Sequence, residues 1–140
     1  MARTQSRLSA GTVVLDSEGL SKWCAADQRV TAYVREAQDN DFRVVVSALT
    51  PIEAFDMRVK ARNERFRWHL SRLKIEPVTD EISFHAIDLL REAGLHGHKY
   101  AIDAVVAATA LRSVKPVVIL TSDADDMEKL CGKQVRIVTA

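Results

Sequence analysis

The sequence predicts a single α/β domain in which a parallel β-sheet of about five strands is sandwiched between helices. Short runs of β-branched residues alternate along the chain with segments of helical periodicity, and this alternation is typical of parallel sheets covered on both faces. A length of 140 residues suits one domain, because folding at this size hides roughly two-thirds of the surface of the unfolded chain. We expect the domain to span residues 12–140, after a flexible basic tail over residues 1–11.

The first third of the chain contains two strand signals separated by helical ones. The β-branched run Thr12–Leu15 predicts a buried strand that ends at Asp16, and helical character begins at Ser17. A second helical stripe covers residues 27–38, and the run Phe42–Val46 predicts the second strand. Strand, helix and strand therefore follow one another, as the predicted class requires.

A clear helix start follows the second strand. Thr50 offers a hydroxyl for the N-cap, Pro51 suits the first helical position, and Glu53 stands three residues after the cap. These signals predict a helix that runs from Pro51 to about Arg62.

The second half of the chain repeats the alternation of strand and helix. The predicted elements are a weak strand Lys74–Val78, a helix from about Asp80 to Ala93, a helix His98–Arg112, a strand Val117–Thr121, a short helix Ser122–Leu130 and a strand Val135–Val138. Gly94 and Gly132 follow two of these helices, at the position where glycine commonly ends a helix. In the helix His98–Arg112, residues at three- and four-residue spacing predict a buried face, and small alanines between them allow close packing on a sheet.

Composition excludes several classes of protein. The apolar content of 47% and charged content of 28% are ordinary for a globular domain, and no apolar run approaches the roughly 20 residues of a membrane span. The first residues carry Arg3 and Arg7 without an apolar segment after them, so they do not form a secretory signal, and we expect a cytoplasmic protein. Cys24 and Cys131 lie in no metal-binding spacing, which predicts buried, inert thiols.

Carboxylates from separated segments are predicted to meet at one edge of the sheet. Asp16 ends the first strand, Glu53 lies in the first turn after the second, and Asp123 lies two residues beyond the strand Val117–Thr121. Asp103 joins them, because a helix that feeds the next parallel strand begins at the carboxyl edge of the sheet. Asp126 lies one helical turn after Asp123 and is a candidate fifth acid.

Each acid also has a structural explanation that needs no ligand. Glu53 fits a capping box, Asp123 an N-cap, Asp16 a turn, and Asp103 a partner of the helix dipole. These explanations leave open why four negative charges share one edge without a matched set of Lys or Arg, since like charges at close range raise one another's pKa. A divalent cation would compensate them, and oxygen-only ligands favour Mg²⁺ or Mn²⁺ over zinc.

A basic strip covers residues 58–74. It holds seven basic residues against Glu64, and Phe66 and Trp68 are interleaved with them. One interpretation is an RNA-binding surface, with Arg62, Arg65 and Arg67 contacting phosphates and the rings stacking on bases. The other is a solvated helix face whose two aromatic rings turn to the core.

Four segments, VVLDSEGL, SALTPIEAF, AIDAVVAATALR and ILTSDADDMEKL, occur in an order and spacing that resemble the PIN-domain ribonucleases, and specifically the VapC-type toxins of bacterial toxin–antitoxin pairs. The resemblance covers residues 12–138. It implies a Mg²⁺-dependent endoribonuclease that inhibits translation or growth and is held off by a small antitoxin, and we also expect a homodimer. The acids that it implies as catalytic are Asp16, Glu53, Asp103 and Asp123, with Asp126 as an optional further ligand. Glu18 departs from the family pattern, which usually has a small hydroxyl or amide residue at that position.

The resemblance implies metal-assisted hydrolysis of phosphodiester bonds without a protein nucleophile. Asp16 and Asp103 are the expected direct ligands, and Asp123 is a ligand or the partner of a second ion. Glu53 is either a ligand through a water or a residue that positions the water.

Two further sets of residues have alternative interpretations. Thr121 or Ser122 is expected to hydrogen-bond the scissile phosphate or to fix Asp123, the alternative being an ordinary helix cap. Ile52, Phe55 and Val59 either flank a groove for an amphipathic antitoxin segment, whose arginine would reach the acids, or belong to the core or a homodimer seam.

A second class of function is a non-catalytic metal-binding or receiver-like regulatory domain. A receiver-like pocket needs an acid pair at the first strand and a further Asp at a middle strand, whereas here Asp16 alone ends the first strand and Thr79 follows the third. A PIN fold that binds RNA without cleaving it is a third possibility.

Overall fold

A computed structural model describes residues 9–58 and 60–140, with side chains described for all of these except 60–63. Within this part of the chain, five strands form one sheet: β1 (Gly11–Leu15), β2 (Phe42–Ser47), β3 (Lys74–Glu76), β4 (Val117–Thr121) and β5 (Arg136–Thr139). The helices are α1 (Ser17–Cys24), α2 (Gln28–Asp39), α3 (Thr50–Ala54), α4 (Lys60–Leu70), α5 (Asp80–Ala93), α6 (Gly97–Leu111) and α7 (Ala124–Cys131). The predicted α/β class and five-stranded parallel sheet are confirmed.

The strand order is β3-β2-β1-β4-β5, and every neighbouring pair is parallel. The first strand of the chain therefore lies at the centre, where Val14 pairs with Val45 on one side and Ile119 on the other. The order reverses at β1 and β4, and ligands of such sheets bind outside the carboxyl ends of the strands at that point. Receiver domains have the order 2-1-3-4-5 instead, so the receiver-like alternative is wrong for this fold.

Two apolar cores lie on opposite faces of the sheet. Side chains of α1, α2 and α4 cover one face, and side chains of α5, α6 and α7 cover the other. In α6 the seven consecutive residues Ala104–Ala110 are buried, so the helix is enclosed rather than covered on the single predicted face. The small alanines permit this enclosure, because they let α5, α7 and the sheet approach the helix closely.

The predicted helix from Pro51 to Arg62 is wrong, because the chain forms two helices there. Helix α3 ends at Ala54, Phe55 has an extended conformation, and α4 begins at Lys60. The Asp56 carboxylate accepts hydrogen bonds from the backbone and side chain of Arg58, and this local turn competes with continuation of the helix. Val59 lies outside the described residues.

The predicted capping box at Thr50 is also wrong. Leu49 occupies the N-cap of α3, no side chain caps the helix, and the buried Thr50 hydroxyl has no hydrogen-bond partner in the described part of the chain. The helix begins one residue earlier than expected, so Thr50 is already helical and its hydroxyl cannot reach the orphan N–H groups.

The two predicted helix ends at glycine and the burial of both cysteines are confirmed. Gly94 ends α5 in the left-handed conformation, with φ of 69°, and Gly132 follows α7 with φ of 64°. Cys24 and Cys131 are both buried, and burial raises the pKa of the Cys131 thiol to about 12. None of the helices in the described residues is long and apolar enough to cross a membrane. The predicted tail lies mostly outside the described residues, which begin at residue 9.

Candidate metal centre

Three aspartates form the centre of an acidic cluster at the carboxyl edge of the sheet. One carboxylate oxygen from each of Asp103, Asp123 and Asp126 lies within 4.8 Å of the others. Asp103 is half-buried near the start of α6, just after a kink at Tyr100, and Asp123 is exposed in the connection from β4 to α7. Carboxylate oxygens at this spacing are able to hold one divalent cation.

Asp123 does not cap its helix. It occupies the N-cap position of α7, but its side chain makes no cap hydrogen bond. The N-cap explanation offered by the sequence is therefore wrong, and the carboxylate stays with those of Asp103 and Asp126. The candidate fifth acid, Asp126, lies in the first turn of the same helix and belongs to the cluster.

Asp16 approaches the cluster from β1 and is buried. Its carboxylate accepts from the backbone N–H of Gly19 at 2.8 Å, so it caps α1, and it also hydrogen-bonds to the Thr121 hydroxyl. Burial raises the pKa of Asp16 above its ordinary value, although these hydrogen bonds act in the opposite direction. Asp16 thus has a structural role as a cap and an electrostatic role beside Asp123.

Thr121 connects two of the acids. Its fully buried hydroxyl accepts from the backbone N–H of Asp123 at 2.9 Å while it hydrogen-bonds to Asp16. This geometry agrees with the expectation that Thr121 fixes Asp123. The backbone of Ser122, by contrast, hydrogen-bonds to Asp16, and its side chain is exposed.

The electrostatics of Asp103 connect all five acids. Burial raises the pKa of Asp103 to about 6, and the charges of Asp123, Glu53, Asp126 and Asp16 contribute in that order. Among the residues described with side chains, none of these acids takes part in an ion pair. The cluster therefore carries uncompensated negative charge, which a bound cation would neutralise.

Glu53 lies at the margin of the cluster rather than among its closest oxygens. It is exposed on α3 and lines a groove between α1 and α3 together with Glu18 and Lys22. Glu18 therefore lines the same groove as Glu53. The hydrogen bonds to Asp16 come instead from Gly19, Thr121 and Ser122.

The two aromatic residues of the basic strip differ in burial. Phe66 is buried, in agreement with a solvated helix face whose rings turn to the core. Trp68 is 53% exposed, in agreement with an RNA-binding surface. Arg65 and Arg67 are exposed, and the side chain of Arg62 lies outside the described residues.

Comparisons with known proteins give one family and several similar structures. The model of the PIN domain family matches residues 13–133. The structure of VapBC2 from Rickettsia felis bound to a DNA fragment from its promoter has a chain with a TM-score of 0.70 and 14% identity, covering 92% of this chain and 98% of that one. A chain in the structure of FitAB bound to the IR36 DNA fragment has a TM-score of 0.66 and 21% identity, covering 91% and 94%. No curated protein matches the sequence.

Proposed function

This chain belongs to the PIN domain family, whose members are generally nucleases, and from that premise we propose that it is a metal-dependent endoribonuclease acting as the cytoplasmic toxin of a toxin–antitoxin pair. The observation that carries the proposal is the convergence of Asp103, Asp123 and Asp126 within 4.8 Å, with Asp16 beside them. These oxygens lie at the edge where the strand order reverses, which is the usual ligand site of such sheets.

The donor set fits Mg²⁺ or Mn²⁺, because it consists of carboxylate oxygens and none of these acids forms an ion pair with a described side chain. Asp103, Asp123 and Asp126 would hold the ion together with Asp16. A bound divalent cation supplies neutralisation of phosphate charge and a lower pKa for water.

The protein's own residues prepare this site. The Thr121 hydroxyl hydrogen-bonds to both the Asp123 backbone and the Asp16 carboxylate and so fixes their relative position. The acids therefore need little reorganisation when an ion binds. Asp103 binds a cation as the carboxylate, which is the dominant form above pH about 6. Glu53, exposed at the margin of the cluster, positions the attacking water.

Purified protein should cleave single-stranded RNA when Mg²⁺ is present and stop when EDTA is added. A PIN fold that only binds RNA would show association without cleavage under both conditions.

The expected partner is an antitoxin. The two similar structures are named as the complexes VapBC2 and FitAB, each bound to DNA. Ile52 is 74% exposed and Phe55 is 53% exposed, so they are not core residues, and they flank Glu53 on and after α3. We assign this surface to an antitoxin segment whose arginine reaches the acids.

If the arginine and Mg²⁺ compete for the same carboxylates, raising the Mg²⁺ concentration should weaken inhibition by an arginine-bearing antitoxin peptide. An inhibition constant independent of metal would contradict the assignment.

A homodimer is also proposed, through the exposed face of α5. Phe84 is 66% exposed and Ile87 is 49% exposed on this helix, and large apolar side chains in contact with water favour burial against a second copy. Phe84→Glu should therefore convert a dimer to a monomer in analytical ultracentrifugation, and an unchanged sedimentation coefficient would place the interface elsewhere.

A further inference from the structure

An aromatic groove remote from the acids lies between α1, α2 and α4. Its volume is about 570 Å³, and it is lined by both tryptophans of the chain. Trp23 lies in the last turn of α1, whereas Asp16 caps the start of that helix. Neither Asp16 nor Asp103, Asp123 and Asp126 lines the aromatic groove, so the groove is distinct from the acidic cluster.

The aromatic side chains of the groove form a connected stack. The His69 ring packs edge-on against Trp23 at a centroid distance of 4.6 Å and against Trp68 at 4.9 Å. The Arg72 guanidinium lies over the Trp68 ring at 4.8 Å. Trp68 remains half exposed, so its ring offers flat apolar surface to a ligand.

The charge of the groove has one sign. Arg35 and Arg72 line it, and none of the described residues that line it is acidic. Positive charge beside exposed aromatic rings is the combination by which proteins hold single-stranded nucleic acid, with bases on the rings and phosphates on the cations. Thr31 also lines the groove, and its buried hydroxyl has no hydrogen-bond partner in the described part of the chain.

Helical spacing connects the groove to the basic strip. Arg65, Trp68, His69 and Arg72 recur at intervals of three and four residues and so share one side of α4 and its following turn. Phe66 is buried against the core, and the adjacent Leu70 is partly buried there. The strip therefore presents its exposed tryptophan and Arg72 to the groove rather than to the acids.

We propose that this groove is a second binding site for single-stranded RNA, in which a base stacks on Trp68 and the flanking phosphates contact Arg35 and Arg72. The inference deepens the proposed function, because it names the surface that holds the substrate away from the acids. An acidic protein segment could use the same charges, but the pairing of exposed tryptophan with stacked arginine favours a base.

The test is binding of the full-length protein to a labelled single-stranded RNA of about eight nucleotides, a length within the usual site sizes. EDTA is present throughout, so that no metal-dependent cleavage occurs. Trp68→Ala should raise the Kd about fivefold or more, and Trp68→Phe should retain most of the affinity, because it keeps an aromatic face. Saturating RNA should also change the tryptophan emission of the parent, which reports on this groove alone, since both tryptophans line it.

Arginine variants test the phosphate contacts. Arg35→Ala and Arg72→Ala should each flatten the dependence of log affinity on log salt by about 0.7, the value for one phosphate contact on a single strand. Arg29→Ala is the matched control, because Arg29 is exposed on α2 like Arg35 but does not line the groove. It should retain the parental slope, and a thermal melt of each variant checks its folding.

Parental affinity for Trp68→Ala together with unchanged tryptophan emission would overturn the proposal. So would groove variants that lose binding to an acidic peptide while RNA binding stays intact. Failure of the nuclease proposal is distinguishable, because a protein that cleaves nothing in Mg²⁺ can still show these binding effects in EDTA.

Discussion

The acidic edge of the sheet and the aromatic groove differ in both charge and construction. At the edge, Asp103, Asp123 and Asp126 bring their oxygens within 4.8 Å of one another without an ion pair among the described side chains. In the groove, by contrast, the Arg72 guanidinium stacks on the Trp68 ring, at 4.8 Å from the ring centroid.

The difference indicates a division of tasks. Uncompensated like charge raises pKa values and favours a cation, whereas stacked rings and guanidinium groups favour bases and phosphates. If the two regions divide catalysis and binding in this way, changes at one should leave the task of the other intact.

Removal of a carboxylate ligand should have the largest effect. Asp103→Asn or Asp16→Asn is expected to slow RNA cleavage by about 100-fold or more, because each removes a charged oxygen from the proposed metal site. RNA binding in EDTA should match the parent, since the groove is untouched. Cleavage rates at saturating RNA measure the first effect, and a variant that cuts at the parental rate would remove that residue from the site.

Loss of the hydroxyl that connects two acids should have the next largest effect. Thr121→Val is expected to slow cleavage by about 10- to 100-fold, because Asp16 and the Asp123 backbone lose their shared partner. Thr121→Ser should restore most of the rate. Thr109→Val is the matched control, since the buried Thr109 hydroxyl donates to Val105 within its own helix, at 2.8 Å. Equal losses in the two valine variants would indicate a general packing defect.

The raised pKa of Asp103 predicts a pH dependence of stability. Its pKa is about 6 in the folded protein and 3.8 ordinarily, so the Asp103 carboxyl binds its proton more tightly in the folded state than in the unfolded state. The contribution of Asp103 to the free energy of unfolding should therefore be highest below pH about 4 and fall as the pH rises to about 6, by ~1 kcal/mol after discounting for solvent screening of this half-exposed group.

Thermal melts of the parent and Asp103→Asn in EDTA measure this dependence. At pH 7 the variant should melt about 3 °C higher, and the difference should vanish at pH 4. Mg²⁺ at 100 times its Kd should add about 2.7 kcal/mol to the parent and much less to the variant. A variant that melts lower than the parent in EDTA at pH 7 would contradict repulsion at this edge.

Arginines of the basic strip should have the smallest effect. Replacing Arg62, Arg65 and Arg67 with Ala is expected to weaken RNA binding and to flatten its salt dependence by about 0.7 for each arginine that binds a phosphate in the parent. Metal affinity should be unchanged. Identical salt slopes for variant and parent would assign these arginines to another role.

Strong local patterns made most of the fold predictable from the sequence. The run Val117–Thr121 matches β4 residue for residue, and Gly94 ends α5 as expected. The helix after β2 was not predictable in the same way, because the turn at Phe55 and Asp56 depends on a side-chain hydrogen bond that competes with the helix. Burial of α6 on several sides depends on tertiary packing, which its own pattern does not report.

The candidate site was partly predictable. Topology alone brings Asp16, Asp103 and Asp123 to one edge, and helical spacing adds Asp126. Glu53 reaches the same edge but lies at the margin of the cluster, exposed on α3, and its local pattern does not specify this distance from the other acids. The aromatic groove was not predictable, because it joins Trp23, Arg35 and Trp68 from three helices whose packing no local pattern specifies.

The most direct test of the proposed metal-dependent ribonuclease centre is the initial rate of RNA cleavage as a function of Mg²⁺ concentration, measured for the parent and Asp103→Asn side by side. The parental rate should rise with Mg²⁺ to a plateau and fall to background in EDTA, while the variant stays near background throughout. Cleavage by the parent that persists in EDTA, or two proteins whose rates rise together, would contradict a catalytic metal held by the acids at this edge.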